Sequence, residues 1–495
     1  MSSNLPTAHS GLARRRLGVV HLVFFTVAAS APLTVLGGGV TTTFAVTGNK
    51  GTPISFIVLA AVLAFFAVGY AAMSRYVSNA GAFYSYLANG LGRAAGVSGS
   101  FIALVAYNTI NFGLYGLFGA VFGDFMKSKF SVDAPWWVWG LAALVLVGLL
   151  GVLRVDLNAS VLAVLLIAEI IAVCIFDAIS FGHPAGGSVS FAGLSLGNLF
   201  GSGVGGVLAL GIAAFAGFES AAIYSEEVRD PRRTVARATY IAVAFTGLFY
   251  ALSAWALSVL YGPDQVQGVT GEQGPGAIFG ALAQYASPTL ADVANVLFIT
   301  SVFAALLSFH NGVARYLFAL GRERVLPEFL GRTSVRSAAP IAGSLTQTFL
   351  AFVVVLLFVI TNRDPVADLF TWMSGTSAVG LVLLMTLTSA SVVGFFRRRP
   401  AEEGAWQTLI APTLATLLLG AVLVILIWNF NALLAPTNPS YLRWLLPGIV
   451  LLGAVVGLIW GAALRSARPA VYEGIGRSAT QTNVDDQDEY VPVGV

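Results

Sequence analysis

Long apolar runs separated by short polar connections recur along the whole chain. Stretches of about 18 or more largely apolar residues, long enough to cross a bilayer core, lie near 18–46, 53–73, 96–122, 135–153, 157–181, 200–225, 236–261, 290–318, 339–361, 366–395, 406–430 and 442–464. Two of these twelve runs are interrupted. The first span reads Ala28-Ala29-Ser30-Ala31-Pro32 and then Gly37-Gly38-Gly39, and the sixth reads Phe215-Ala216-Gly217-Phe218-Glu219-Ser220. A lipid-facing helix cannot leave backbone groups unpaired, so such breaks are expected only where they line a cavity. If the spans divide as five, five and two, the breaks fall at equivalent points of two inverted repeats, the arrangement that marks a secondary transporter's substrate site. The predicted fold is therefore an all-α integral membrane protein with 12 transmembrane helices: a 5+5 inverted repeat plus two C-terminal helices, with helices 1 and 6 broken.

The same pattern sets the predicted boundaries. A polar tail covers 1–16, and the twelve-helix region covers 17–465, with repeat one at about 17–181, repeat two at about 200–395 and helices 11 and 12 at about 406–464. Residues 466–495 form a polar tail whose Asp485, Asp486, Asp488 and Glu489 make an acidic, disordered end. With both termini cytoplasmic, the inside loops hold the clusters Arg14-Arg15-Arg16, Arg232-Arg233 and Arg397-Arg398-Arg399, while Lys50, Lys127, Lys129, Arg363 and Arg443 lie outside. That asymmetry is the one the positive-inside rule requires.

Composition narrows the function classes. Hydrophobic residues make up 57% and charged residues 10%, against about a quarter charged in soluble domains, which excludes a soluble globular protein. The formal net charge of +3 is spread over loops and makes no basic stripe for nucleic acid. Cys174 is the single cysteine, which excludes a disulfide and a cysteine metal site. There is no P-loop, no His and Cys cluster with metal spacing and no soluble domain, so neither an ATP-driven pump nor an enzyme is expected, and no cofactor is called for. The first apolar run is too long for a cleavable signal peptide. The preference for Arg over Lys and the abundance of Ala and Gly suggest a bacterial protein of the cytoplasmic membrane.

Three motifs carry a family resemblance. They are Gly217-Phe218-Glu219-Ser220-Ala221 followed by Glu226-Glu227-Val228-Arg229-Asp230-Pro231-Arg232-Arg233-Thr234; Ala314-Arg315-Tyr316-Leu317-Phe318-Ala319-Leu320-Gly321-Arg322-Glu323 with Leu326-Pro327; and Asn79-Ala80-Gly81-Ala82-Phe83-Tyr84-Ser85-Tyr86. Over about residues 15 to 465 the chain resembles the amino acid–polyamine–organocation permeases, which share the five-plus-five fold of the leucine transporters. The resemblance implies a secondary transporter working by alternating access.

The candidate site follows from the breaks. Thr26, Ala29, Ser30 and Ala31 from span one and Ala213, Phe215, Gly217 and Phe218 from span six are expected to bind substrate. Amides freed near Ser30 and Ala31 would meet a carboxylate, and carbonyls near Ala213 to Phe215 would meet an amine. Pro32 removes one of those donors, and Ala29 and Ala31 stand where the resembling family carries glycines. Phe215 and Phe218 are expected to shield the ligand. Tyr107 and Asn111, on one face of span three with Asn108 and Tyr115, read either as a cavity wall or as interhelical hydrogen bonding. Glu169 and Glu219 are intramembrane acids, functional candidates by default. In the resembling family the acid matching Glu219 is a candidate for gating or protonation. Glu169 stands where some of those permeases carry a lysine, and the reversed charge prevents a direct carry-over of that role; it reads as a proton or cation site with Ser301 or Ser308 of span eight, as a contact for a substrate amine, or as a structural acid.

The expected function is secondary active transport of amino acids or related small amines, coupled to protons, with sodium also open. A carrier of polyamines or other organic amines, an exchanger, and a non-transporting sensor are the alternatives. The partners expected are a small-molecule substrate, the driving ion and the lipid bilayer.

Overall fold

The computed structural model describes Val19, Val23, Thr26, Val27 and residues 30–77, 82–153, 159–218, 231–332, 340–399 and 402–476. The regular structure among the described residues is entirely helical. Among the described residues, ten helices are long and apolar enough to cross a membrane. They are α3 (Thr52–Met73), α5 (Arg93–Phe130), α6 (Trp136–Leu153), α7 (Ala159–Gly182), α9 (Pro231–Tyr261), α12 (Pro288–Arg322), α13 (Ile341–Ile360), α14 (Thr371–Arg398), α15 (Ala411–Trp428) and α16 (Leu442–Ala467). Each overlaps one of the twelve apolar runs. Parts of the other two runs, 18–46 and 200–225, lie outside the described residues, and their described portions hold shorter helices. α1 (Pro32–Thr34) passes through a wide π turn (Val35–Val40) into α2 (Thr41–Thr47), and α8 (Val204–Phe215) has only 12 residues. Shorter helices α4 (Ala82–Gly90), α10 (Val266–Gln273), α11 (Gly276–Tyr285) and α17 (Pro469–Gly474) fill the connections.

The packing rests on small residues, since lipid offers no hydrophobic drive for one helix to leave it for another. α16 lies along α5. A Cβ on Gly457 would stand 2.6 Å from the Ser98 Cα, and one on Gly461 would stand 2.8 Å from the Ala94 Cα. The Ser98 hydroxyl donates across the same contact to the Ala454 carbonyl at 2.8 Å. On the outside, Phe349, Ile360, Leu417, Val424, Leu452 and Ile459 are all more than half exposed. So much apolar surface on α13, α15 and α16 suits a lipid solvent. α5, 38 residues long, would run about 57 Å at 1.5 Å per residue, well past a hydrocarbon core. It packs against α6, α12, α14 and α16 and forms the spine of the bundle.

One end of the bundle is closed by the segment after α16. Ile475 is 3% exposed and joins Tyr84, Val97, Leu320 and Leu464 in a small apolar cluster. The Gly476 amide donates to the Tyr84 hydroxyl at 3.0 Å, and the Tyr84 hydroxyl donates to Glu323 just past α12. Burial of the Glu323 carboxyl pushes it above the ordinary range, against hydrogen bonds from Tyr84 and Gly476 and the charge of Arg322.

Candidate functional site

α1 starts abruptly. Ala31, just before it, has φ 46° and ψ 75°, a left-handed conformation uncommon for any residue but glycine. Pro32 takes the first helical position, where its missing N–H has no cost. The Ala31 carbonyl then accepts from the Val35 amide at 3.0 Å. Ser30 folds back on the preceding turn, its amide and hydroxyl reaching the Val27 carbonyl at 3.1 and 2.8 Å. The Tyr250 hydroxyl of α9 lies 3.2 Å from the Ser30 carbonyl oxygen and 3.1 Å from Ser30 Oγ. The break is thereby tied to a second helix.

Glu169 of α7 sits at the start of α1. The Leu33 amide donates to its Oε2 at 3.3 Å, and the Ser301 hydroxyl of α12 donates to the same oxygen at 2.9 Å. The Thr34 hydroxyl donates in turn to Ser301 Oγ at 2.9 Å. All three side chains are buried. Thr34, Ser301 and Glu169 thus form one donor chain converging on a carboxylate at a helix N-terminus, where helix dipole and charge-assisted hydrogen bonds both favour an anion. With Pro32 lacking an N–H and Leu33 engaged by Glu169, two of the first amides of α1 are closed to a substrate carboxylate.

The second break is a helix end. α8 stops at Phe215, Ala216 turns to φ −55° and ψ 132°, and Gly217 takes φ +102°, which its lack of a Cβ permits. The Ala216 amide bonds the Ala213 carbonyl at 3.1 Å and the Phe218 amide bonds the Phe215 carbonyl at 3.2 Å.

Between the two breaks lies a cavity of about 50 Å³. Ser30, Ala31 and Thr34 line one wall and Ala213, Ala214 and Ala216 the opposite one. Ile110 and Leu114 of α5, Ala305 and Phe309 of α12, Phe370 just before α14 and Ser374 within it also line the cavity, with Val35, Gly39 and Leu210. The Ser374 hydroxyl is buried without a hydrogen-bond partner. At about 10–15 Å³ each, roughly three to five water molecules would fit, so the space suits a compact solute.

The residues named from sequence divide by position. Ser30, Ala31 and Ala213 line this cavity, whereas Glu169 and Ser301 meet just behind it. Thr26 is buried in a helical turn and Ala29 lies outside the described residues, as does Glu219. Asn111 donates to the Leu306 carbonyl and accepts from Gln347, both at 3.0 Å, which commits its amide to α12 and α13. Tyr107 packs beside Phe309 with ring centroids 6.4 Å apart. Phe215 lies against Phe56 and Phe218 against Phe66, at 6.3 and 5.8 Å, so the rings on the cavity are those of Phe309 and Phe370 instead. Gly217 marks the turn that ends α8, and Ser308 is exposed, away from Glu169's hydrogen bonds.

This arrangement can be set beside known proteins. The family model described as amino acid permease matches residues 17–455. The chain belongs to the amino acid permease family. Among its relatives is the branched-chain amino acid permease BcaP of Lactococcus lactis, 26% identical over 357 residues, covering 66% of this chain and 72% of that protein. The low-affinity putrescine importer PlaP of Escherichia coli is 24% identical over 453 residues, covering 86% and 91%. The D-serine/D-alanine/glycine transporter of Escherichia coli is 27% identical over 281 residues, covering 54% and 58%. The permease is thus a multi-pass membrane protein of a transporter family that includes carriers named for amino acids and for a diamine.

Several groups at the permease's cavity have no mark in the sequence. Phe309, Phe370 and Ser374 arrive from spans eight and ten, and Tyr250 from span seven, through packing that no local motif announces. Asp177, buried on α7 against Ser253, was visible only as a second acid in a span that already held Glu169.

Proposed function

We propose that this permease moves small amino acids or related amines across the bacterial cytoplasmic membrane by alternating access, with the cavity between Ser30 and Ala213 as its substrate site. The observation that carries the reading is the placement of two opposed helix ends on this cavity, the start of α1 and the end of α8. The first presents the positive and the second the negative pole of a helix dipole. A zwitterion spans the two, its amine toward the carbonyl end of α8. The apolar lining from Ile110, Leu114, Phe309 and Phe370 favours a short apolar side chain, and the unpartnered Ser374 hydroxyl offers a hydrogen bond to the solute.

Proton coupling belongs to the same proposal, with Glu169 as the coupling acid. Its donor chain runs from α12 to α1 through Ser301 and Thr34, so loading or unloading its charge acts on the break directly. Glu219, expected beside the second break, is proposed as a further gating acid. The two inverted repeats, with cytoplasmic termini, give the frame in which those helices rock.

A second reading has its own support. Glu169 already faces the positive end of α1, which lowers the demand for a substrate carboxylate and suits a carboxylate-free amine such as putrescine. The test is uptake into proteoliposomes driven by an inwardly acidic or inwardly alkaline pH gradient, using labelled alanine, leucine and putrescine. Accumulation that follows the gradient in wild type and is lost in Glu169→Gln is the expected result. Gradient-driven accumulation unchanged in Glu169→Gln overturns the coupling role.

A further inference from the structure

Asp177 lies eight residues beyond Glu169 on α7, about 12 Å along the axis and within the same broad helix face. The two acids differ in their hydrogen bonding. Asp177 is 5% exposed, its Oδ2 is 2.9 Å from Ser253 Oγ of α9, and its Oδ1 is buried with no partner. Ser253 Oγ also lies 3.0 Å from the Phe249 carbonyl oxygen, one turn earlier on α9. A hydroxyl has one hydrogen. If Ser253 gives it to an ionised Asp177, its contact with the Phe249 carbonyl has none, and Oδ1 remains a buried anionic oxygen without a donor. If Asp177 carries a proton, its O–H donates to Ser253 Oγ and the Ser253 O–H donates to Phe249, so each contact has its own hydrogen. At Glu169 the same count closes without a proton on the acid, because Thr34 donates to Ser301, and Ser301 and Leu33 donate to the carboxylate.

Among the described residues, the surroundings of Asp177 contain no counter-charge. α7 packs against α1, α9, α11 and α12, and among the described residues no charged side chain from these helices acts on Asp177. The titratable neighbour is the Cys174 thiol on its own helix, and the polar one is Ser253. A divalent metal ion would require about six oxygen ligands, whereas Asp177 and Ser253 present only their own three side-chain oxygens.

We propose that Asp177 is a proton-binding site between α7 and α9, separate from Glu169 and occupied in this conformation, with Ser253 as its hydrogen-bond partner. Release of the proton leaves the single Ser253 hydrogen to serve both Asp177 and the Phe249 carbonyl, and leaves Oδ1 a buried anionic oxygen without a donor, which weakens the contact between α7 and α9. α9 carries Tyr250, one turn before Ser253, whose hydroxyl holds Ser30 at the cavity. Proton release at Asp177 therefore loosens the first break. The link to transport rests on the cavity being the substrate site, but the protonation of Asp177 does not.

The experiment is infrared spectroscopy of the purified permease in lipid at neutral pH, comparing wild type with Asp177→Asn, Glu169→Gln and Ser253→Ala. A protonated carboxyl absorbs in a carbonyl band distinct from that of carboxylates. The expected result is a carboxylic band that disappears in Asp177→Asn, stays in Glu169→Gln and shifts in Ser253→Ala as its hydrogen bond is lost. The amide band of the same spectra reports whether each variant is folded; should Asp177→Asn fail to fold, the Ser253→Ala shift decides. A band unchanged in both Asp177→Asn and Ser253→Ala, or no carboxylic band in wild type, overturns the assignment. Loss of pH-gradient uptake in Glu169→Gln with this band intact would leave both proposals standing, and a gradient-independent wild type would remove only the coupling.

Discussion

Removing the Ser301 hydroxyl separates a charged network at Glu169 from a neutral one. In wild type the Ser301 O–H donates to Glu169 Oε2 at 2.9 Å and accepts from Thr34 at 2.9 Å. A hydrogen bond to a charged group contributes about 1.5–3 kcal/mol, against about 0.5–1.5 kcal/mol for a neutral pair. Cycles between helices in membranes average about 0.6 kcal/mol and reach about 1.7. Ser301→Ala should therefore cost about 1–2 kcal/mol in wild type. In a Glu169→Gln background, where the oxygen is neutral, it should cost about 0.5 kcal/mol, leaving a coupling energy of about 1 kcal/mol on these scales. Reversible unfolding of the four proteins in mixed lipid and denaturing detergent measures that difference. Thr34→Val, which removes the more distant donor, should show a smaller coupling of the same sign. A coupling within error of zero between Ser301 and Glu169 would refute an ionised Glu169 held by this donor chain.

The closing segment at residues 469–476 should respond to pH through Glu323. Its docked carboxyl lies above the ordinary range because of burial, so docking favours the protonated acid. The stabilisation is full below the ordinary glutamate range and fades as pH rises through the higher docked value. Amide hydrogen exchange in Tyr472 to Gly476 should accelerate as pH rises through that window, beyond the intrinsic rate change, and Glu323→Gln should flatten the effect; equal protection at all pH values in wild type would contradict it. Gly457→Leu should destabilise the permease by about 1–3 kcal/mol through overpacking, because its Cβ meets the Ser98 Cα at 2.6 Å. Thermal unfolding checks this, and Gly448→Leu, with nothing within 4 Å of its Cβ, is the control.

Much of the fold was legible because a bilayer imposes a length and a composition on every crossing helix. Ten spans stand where their apolar runs predicted, with α3 at Thr52–Met73 for the run 53–73. The breaks were expected for the same reason in reverse, since Pro32 and Gly217 are residues a lipid-facing helix avoids; among the described residues Pro32 stands at a helix start and Gly217 just past a helix end. For Glu169 the resemblance offered Ser301 or Ser308 of span eight as alternatives, and the structure places Ser301 within hydrogen-bond reach while Ser308 is exposed. What sequence could not assign was which way a ring points. Phe215 and Phe218 sit next to the second break, yet pack on Phe56 and Phe66 of α3, while Phe309 and Phe370, distant in sequence, reach the cavity. Asn111 carries no sign of its choice between cavity and helix contact until Leu306 and Gln347 are seen beside it. Helix rotation and long-range packing decide these positions, and a single sequence does not record either.

The central claim is that solute passes through the cavity between Ser30 and Ala213. It is tested most directly by counterflow in proteoliposomes, which needs no driving ion, with labelled alanine and leucine in one set and labelled putrescine in another. The comparison is between wild type and Ala213→Leu, whose side chain extends into a space of about 50 Å³. Wild type should accumulate label from one of the two sets, and folded Ala213→Leu should lose at least tenfold of that activity, about 1.4 kcal/mol or more on the binding scale. Counterflow in Ala213→Leu equal to wild type would contradict the account and move the solute path elsewhere.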